Sequence, residues 1–591
     1  MQRLPKFNLK NKIAGISASF KRYPWTILFL IFTAFIIAWD IEGTNFETFK
    51  LITSGVVAAL AFAAAQSAKE NEFFTSKGWT LPVFLFAFLV APVHYLILMG
   101  LADFSVELGI RSFILLLSLF VALLFLPIIK SEYKFEDNLL AAFKNFFQAL
   151  LFSLVLFAGV GIVLAAINLL LFDVDYRVYM HLTNFVFVLF APIFFLSLTP
   201  DFSKHAAEDL KLLEAKLSCP KVLEVLLSYI AIPLTWVFSI ILVFYILLNI
   251  RSKFWLDNLL EPMLISYSAV VILLFLLSAK LDNPRAKTFI KRIPYVLLPI
   301  VTLQLGASAY HLSLGFLTYQ RYFVLVYGTF AFIAALVFAL QSLKRTSLIA
   351  ALMLVFLLAS IFPGIDVFRL SANSHVKGLN AILDSYGMLQ DNSVVITEKV
   401  DEANQSRIIQ AIRYLSHIDK LDGLTWLPEK FNVYSDQDYQ ELFGFGLYLP
   451  PAKGEDNYFH FNLGEDLSAA IGDYDYFGQM HAFTRQNVVE TNDLKIEFED
   501  ALYHLYFDYT NKESALHLLS PDNQVSVFSL EEFFAKLREK SNTRELTLSE
   551  ATYRAENQDY RIKLIFQSYD LYNKGPEEEL YFSFYIFIGF K

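Results

Sequence analysis

The sequence predicts a polytopic α-helical membrane protein with about eleven transmembrane helices, followed by a soluble α+β domain with a mostly antiparallel sheet. Three observations predict it. Hydrophobic residues make up 56 % of the 591-residue chain, and the mean hydropathy is +0.47. Charge is divided unevenly: from Gly364 onward there are about 37 Asp and Glu against about 20 Lys and Arg, roughly −17, which leaves roughly +8 for the remainder of a chain whose net charge is −9. The long apolar runs also stop at Pro363-Gly364. Together these place a membrane bundle at 1–363 and an extramembrane domain at 364–591.

A membrane-spanning helix needs about 20 mostly apolar residues. Eleven segments meet that requirement: Tyr23–Trp39, Leu51–Gln66, Thr80–Met99, Ser112–Ile129, Phe146–Phe172, Leu182–Leu198, Leu223–Ile250, Leu260–Ser278, Pro294–Leu312, Tyr322–Gln341 and Ser347–Pro363. The second is short and Ala-rich and carries the weakest signal; the fifth and seventh are long enough to tilt. Lys10, Lys12, Lys21 and Arg22 precede the first run and no small-residue cleavage site follows Trp39, so it reads as a retained signal anchor.

Short loops set the orientation. The N-terminus and the loops near Lys69–Lys77, Lys130–Lys144, Lys204–Lys221, Lys280–Arg292 and Lys344–Arg345 hold about 22 basic residues, against about 6 in the opposite set. The expectation is a multi-pass membrane protein with a cytoplasmic N-terminus, an odd number of spans and an extracytoplasmic C-terminal domain. The one cysteine, Cys219, excludes an intramolecular disulfide, so that domain must fold on packing alone. Its acidity argues against nucleic acid as a partner, and the chain has no G-x-x-x-x-G-K-[ST] loop, hence no built-in ATPase of that type. The loop from Asp201 to Lys221 reads as an amphipathic helix with Ala206, Leu210, Leu213 and Leu217 on one face.

Mid-span charges are nearly absent, which weighs against an ion-coupled transporter; Asn168, Asn184 and Gln304 read as helix-bridging groups. Ionisable groups gather instead near the outer ends of the spans. They include Asp40, Glu42, His94, Glu107, Arg111, Asp173, Asp175, Arg177, His181, Glu261, His311 and Arg321. Pro92, Pro192, Pro233 and Pro299 are expected to interrupt helices. Such charges commonly do no more than mark the water interface. The sharper reading is an outer-face polar site built from Asp40, Glu42, His94, Glu261, His311 and Arg321.

The segment Tyr310-His-Leu-Ser-Leu-Gly-Phe-Leu-Thr-Tyr-Gln-Arg-Tyr-Phe carries a Tyr followed by Gly-x-x-Thr-x-x-Arg-Tyr, through Tyr310, Gly315, Thr318, Arg321 and Tyr322. This pattern resembles the signature of an uncharacterised bacterial multi-pass membrane family, catalogued as a domain of unknown function. A second stretch, Val367–Ser371 with Ser374 and Leu379 into Leu389, is similar to that family's segment after the last span. The resemblance implies an inner-membrane location and no activity, ligand or cofactor. Physically, the first segment is a turn in which Gly315 permits a tight backbone, Thr318 caps the next helix and Arg321 needs a compensating anion, with Asp40, Glu42 and Glu261 among the candidates.

In the tail, Val376, Leu379, Leu383 and Leu389 approximate helical spacing, as do Ile408, Ile409, Ile412 and Leu415. Leu494–Phe498, Tyr503–Tyr509, Val525–Phe528, Tyr560–Phe566 and Leu580–Ile588 alternate as strands, and Asn573-Lys574-Gly575-Pro576 suits a hairpin. Ser529 suits the cap of a short helix through Phe534 to Arg538. Six scattered histidines form no metal-ligand pair, so no metal site is expected. Asp473 and Asp475 form at most an acidic pair, which strand alternation explains equally well.

Two functions remain open. One is a non-catalytic envelope protein, whether binding, scaffold or transporter-like, whose partners are membrane lipids and an envelope protein or lipid-linked ligand. The other is an outer-leaflet enzyme on a lipid-linked substrate, such as a lipid-linked-sugar glycosyltransferase, using Asp40 and Glu42. The topology itself is open to a direct check. A phosphatase reporter fused after Lys591 is expected to be active; a reporter that works only in the cytoplasm, active at that position, would put the tail inside.

Overall fold

The computed structural model describes residues 17–43, 48–101, 105–202, 210–251, 260–341, 346–362, 364, 366–396, 400–447, 457–463, 472, 474–485, 488–491, 493–498, 501–510, 513–539, 545–574 and 577–591. Several expectations fall outside them: Lys10, Lys12, Lys204, Ala206, Lys344, Arg345, Pro363, Asp473 and the Gly575-Pro576 pair. All eleven predicted spans correspond to helices. In chain order these are α1 Pro24–Ile41, α2 Phe49–Lys69, α3 Thr80–Met99, α4 Val106–Phe125, α5 Phe135–Leu170, α6 Tyr176–Leu198, α7 Lys221–Asn249, α8 Leu260–Ser278, α9 Pro284–Leu314, α10 Tyr319–Gln341 and α11 Thr346–Ile361. Among the described residues nine are long and apolar enough to cross a membrane, while α8 and α11 contribute the shorter apolar stretches Met263–Ser278 and Thr346–Ile361.

The weak hydropathy of α2 has a structural cause. It is mostly buried, with Ala58, Ala59, Ala61, Ala63, Ala64, Ala65 and Ala68 all covered by α1, α3 and α4. Helices inside a membrane gain little from apolar bulk against each other and more from close approach, which small residues allow. Gly55 shows the limit: a Cβ there would collide with Thr33 of α1. A larger second core joins α5 and α7–α11, with Phe275 stacked on Phe338 at 3.9 Å.

The four prolines behave in two ways, which corrects part of the expectation. Pro192 and Pro233 each follow a π-helical turn, Phe185–Phe190 and Leu226–Ala231. A wider turn removes the clash between the proline ring and the carbonyl four residues back. Pro92 and Pro299 sit inside the continuous helices α3 and α9.

Polar groups tie the helix ends. Arg22, ahead of α1, grips Glu70 with two contacts of 2.6 Å and donates to the carbonyls of Thr199 (3.2 Å) and Pro200 (2.7 Å). Asn71 donates to the carbonyls of Leu126, Pro127 and Ile129 where α4 ends. Asn184 bridges α6 to the Ala34 carbonyl of α1 at 2.8 Å, as its type and depth suggested. Asn168 does not bridge helices: its Oδ1 accepts from Val174 N at the turn after α5. Of the loop read as an amphipathic helix, Leu210–Leu217 is helical.

The chain forms two compact units. One comprises Met1–Glu398 with Ile408–Val433, the other Lys399–Arg407 with Tyr434–Lys591. Beyond α11 the first unit contains α12 Val367–Ser385, a small hairpin of β1 Leu389–Gln390 and β2 Ser393–Val394, and the second half of α13 Glu402–His417. Asp391 and Asn392 supply the two positive-φ positions of that hairpin turn.

The second unit holds α14 Asp436–Phe443 and then the sheets. In chain order the strands are β3 Asn457–Leu463, β4 Tyr476–Arg485, β5 Val488–Thr491, β6 Leu494–Phe498, β7 Ala501–Thr510, β8 Glu513–Leu519 and β9 Val525–Ser529. After α15 Glu531–Glu539 come β10 Glu545–Leu546, β11 Thr552–Glu556, β12 Tyr560–Lys574 and β13 Glu577–Phe590. One sheet runs β10-β3-β12-β13-β4-β5 with β11 beside β12, and the other runs β6-β7-β8-β9; all pairs are antiparallel except β10 with β3. Alternation puts Phe582, Phe584, Ile586 and Ile588 of β13 in a core with Leu505, Phe507, Leu516 and Leu518 of the smaller sheet. The apolar last strand is thus a central strand of this core.

Candidate functional site

Arg111 ties three elements of the first unit together. Its position follows from local sequence. Ser105 caps α4 by accepting from Leu108 N, and Glu107 in the first turn complements the helix N-terminus. Arg111 is one turn further, so Glu107 and Arg111 share a face. The guanidinium donates from Nε to Glu107 Oε1 (2.8 Å) and from Nη2 to Asp366 Oδ1 (2.7 Å), while Nη1 reaches the Ile361 carbonyl at 3.2 Å. Asp366 in turn caps α12, accepting from Phe368 N and Arg369 N. Lys420 pairs with the other Glu107 oxygen at 3.1 Å. Arg111 therefore joins the last carbonyls of α11 to the cap of α12, across the Pro363-Gly364 boundary where Gly364 takes a φ of +102°. Glu107 and Arg111 were recognisable in the sequence as charges near a span end; Asp366 and Lys420 were not.

The family-like segment lies beside Arg111, for the Phe368 ring is 5.7 Å from its guanidinium and packs on Tyr319 at 5.9 Å. Thr318 Oγ1 accepts from Arg321 N at 3.3 Å, so it caps α10 as expected. Gly315 has an ordinary extended φ of −146°, so its role is not a special backbone conformation. A Cβ there would press on Arg321 Nη1 at 3.2 Å; the glycine leaves room for the guanidinium. Arg321 Nη1 donates to the carbonyls of His311 and Phe316 at 3.5 and 3.4 Å. Leu317 N donates to Ser374 Oγ of α12 at 3.0 Å, and Tyr319 N donates to the Tyr414 hydroxyl of α13 at 2.7 Å. The two stretches that carry the family resemblance thus touch each other.

Rings fill the joint. His375 stacks on Tyr414 at 4.0 Å, Phe316 meets the edge of His375 at 5.2 Å, and Tyr319 packs on Phe368, Tyr414 and His417. A side chain at Gly378 would collide with the Phe316 ring. His375 Nδ1–H donates to the Ser371 carbonyl at 2.8 Å, which fixes its tautomer. Burial, with the Arg321 charge adding to it and the Ser371 bond opposing, lowers His375 from 6.5 to about 4. Burial likewise pushes Tyr414 up to about 12.

The six residues of the predicted polar site are distributed over separate interactions. His311 and Arg321 come together. Asp40 instead accepts from Thr48 Oγ1 at 2.5 Å, and Glu42 pairs with His181 (2.9 Å) and Arg177 (3.4 Å) on an exposed face. These contacts differ from the pairing with Arg321 that the sequence suggested. His94 is buried between Ser54 Oγ (3.0 Å) and Ser112 Oγ (3.1 Å), bridging α3 to α2 and α4. Glu261 falls in the first turn of α8, and its side chain lies outside the described residues. Tyr310 and Tyr322 flank the segment, Tyr322 N bonding to the Thr318 carbonyl. Among the described residues no group of three or more His, Cys, Asp or Glu is arranged to hold a metal.

Fold and joint define a polytopic helical membrane protein with a C-terminal unit of antiparallel sheets. The chain belongs to the family described as Domain of unknown function (DUF4153), which matches residues 25–399. That match covers α1 to α12, so Arg111, Asp366, the Tyr310–Tyr322 segment and His375 fall inside it, while Tyr414, His417 and Lys420 lie beyond its end. No curated protein and no solved structure matches the chain.

Two outcomes check this description. Arg111→Met leaves Asp366 buried without its cation and Glu107 with Lys420 alone, and is expected to destabilise the first unit by about 3–5 kcal/mol. Thermal unfolding of the purified chain reads it, with Glu107→Gln in the same background recovering part of the loss; an unchanged Tm contradicts it. His375 is neutral when folded and titrates near its ordinary value when unfolded, so protons favour the unfolded state as pH falls from 6.5 toward 4. Its contribution is complete above that window and declines through it, by up to about 1.4 kcal/mol per pH unit. The stability difference between wild type and His375→Phe should shrink over that range, and a pH-independent difference contradicts the assignment.

Proposed function

We propose that the protein is a non-catalytic binding protein of the bacterial inner membrane, with its N-terminus in the cytoplasm and its sheet unit outside, engaging an envelope protein through one aromatic sheet face. The Lys/Arg bias of the short loops supports the orientation. The bundle's ionic groups support the non-catalytic reading, because Arg22–Glu70, Arg111–Glu107–Asp366 and Lys280–Asp137 all act as ties between segments.

The observation that carries the binding reading is the outward row of β4 and β13. Register pairs Phe477 with Phe587, Gln479 with Tyr585, His481 with Ser583, and Phe483 with Tyr581. Phe477 is 60 % exposed and Tyr581 38 %, in the middle of the sheet rather than at an edge. Lys563 of β12 lies over the Phe587 ring at 5.0 Å. Exposed aromatic rings toward both ends of two central strands, with Gln479, His481 and Gln567 on the face between them, match the composition of protein interfaces, whereas Phe587 is covered.

A photo-crosslinking side chain at Tyr581 in cells should yield a discrete adduct. Phe477→Ala should reduce it at unchanged protein level, and the same crosslinker at Asp522, in the β8–β9 turn, should give none. Equal adducts from both positions, or none from either, would remove this reading.

A further inference from the structure

We propose that the first unit binds an uncharged long-chain lipid, its apolar tail in a cavity between α4 and α8–α11 and its hydroxyl or carbonyl head on the carboxamide of Gln304. The cavity holds about 460 Å³, with Ile114, Ile272, Gln304, Ala331, Met353 and Leu357 among its walls. That volume lies within the range of about 300–1,000 Å³ typical of ligand pockets. Its lining is aliphatic and aromatic apart from three side chains. Ser268 donates back to the Leu264 carbonyl, and the Tyr327 hydroxyl faces Ser360 Oγ at 3.4 Å. Gln304 is the third.

Gln304 is only 1 % exposed, and neither its Nε2 nor its Oε1 has a hydrogen-bond partner among the described residues. The sequence suggested a helix-bridging glutamine; the structure shows an amide that bridges nothing. An unsatisfied amide in an apolar interior is costly, and a helix inside a membrane ordinarily avoids it. The same helix face continues with Ser308 and His311, one and two turns on. Ser308 Oγ and His311 Nε2 are also buried without a partner among the described residues. Ser118, Ser239 and Ser268 instead donate to the carbonyl four residues back, while Ser153 and Ser278, elsewhere in the bundle, share the unpartnered state singly rather than in a row. A row of donors and acceptors thus runs from the cavity toward the turn at Gly315.

The chemistry of the walls selects the occupant. No charged side chain lines the cavity, so an anionic headgroup would be desolvated there without a partner. An ordered water needs two to four polar partners, and the cavity supplies one free carboxamide. A long apolar chain fills the aliphatic walls, and a neutral head that both donates and accepts matches an amide that does the same.

The test uses the full chain in nanodiscs with two probes, a photoactivatable diacylglycerol and a photoactivatable phosphatidylglycerol. Saturable labelling of α8–α11 by the diacylglycerol alone is expected, competed by unlabelled diacylglycerol. Gln304→Leu should cut it about tenfold, the loss of one to two net hydrogen bonds. The same variant should raise the Tm of the delipidated protein, because the unsatisfied amide is gone. Ala331→Phe should fill the cavity and abolish labelling in a folded protein. Labelling equal for both probes, unsaturable, or unchanged in Gln304→Leu overturns the proposal.

Discussion

The arrangement of the first unit depends on the half-buried guanidinium of Arg111. It sits where the membrane helices end and a polar helix begins, and it serves three elements together: its own α4 through Glu107, the end of α11 through the Ile361 carbonyl, and the cap of α12 through Asp366. Each partner gains from it: Glu107 otherwise has Lys420 alone, and Asp366 otherwise accepts only from backbone N–H groups. A last-turn carbonyl lacks an intrahelical donor, and a buried carboxylate without a cation is costly. The stacked rings of His375, Tyr414 and Tyr319 complete the joint with apolar surface.

The membrane half was legible in the sequence because its signal is collective. Twenty apolar residues in a row admit few alternatives in a bilayer, and all eleven segments correspond to helices. The weakest of them, α2, was weak for a reason that only packing reveals: alanine lowers hydropathy while letting neighbouring helices approach. The alternating segments read from Leu494, Tyr503, Val525, Tyr560 and Leu580 all fall within strands, since strict alternation has one explanation on a half-buried sheet.

The candidate site was legible in kind but not in pairing. Thr318 announced itself as a cap, and Arg321 as a cation in need of oxygen partners; carbonyls of His311 and Phe316 are among them, where sequence reasoning looked to carboxylates. Asp366 was invisible because its role depends on Arg111, 255 residues earlier in the chain. Gln304 was misjudged for the opposite reason. Its type and depth resemble those of Asn184, which does bridge helices, and only the surrounding atoms separate a spent polar group from an unspent one.

α12 is part of the bundle unit rather than a tether leaving it. Amide hydrogen exchange across the intact protein in nanodiscs tests this most directly. The buried face of α12, from Ser371 to Leu383, is expected to exchange as slowly as the first turns of α10, against which it packs. Exchange of α12 as fast as that of the exposed turn at Asp391-Asn392 would contradict it.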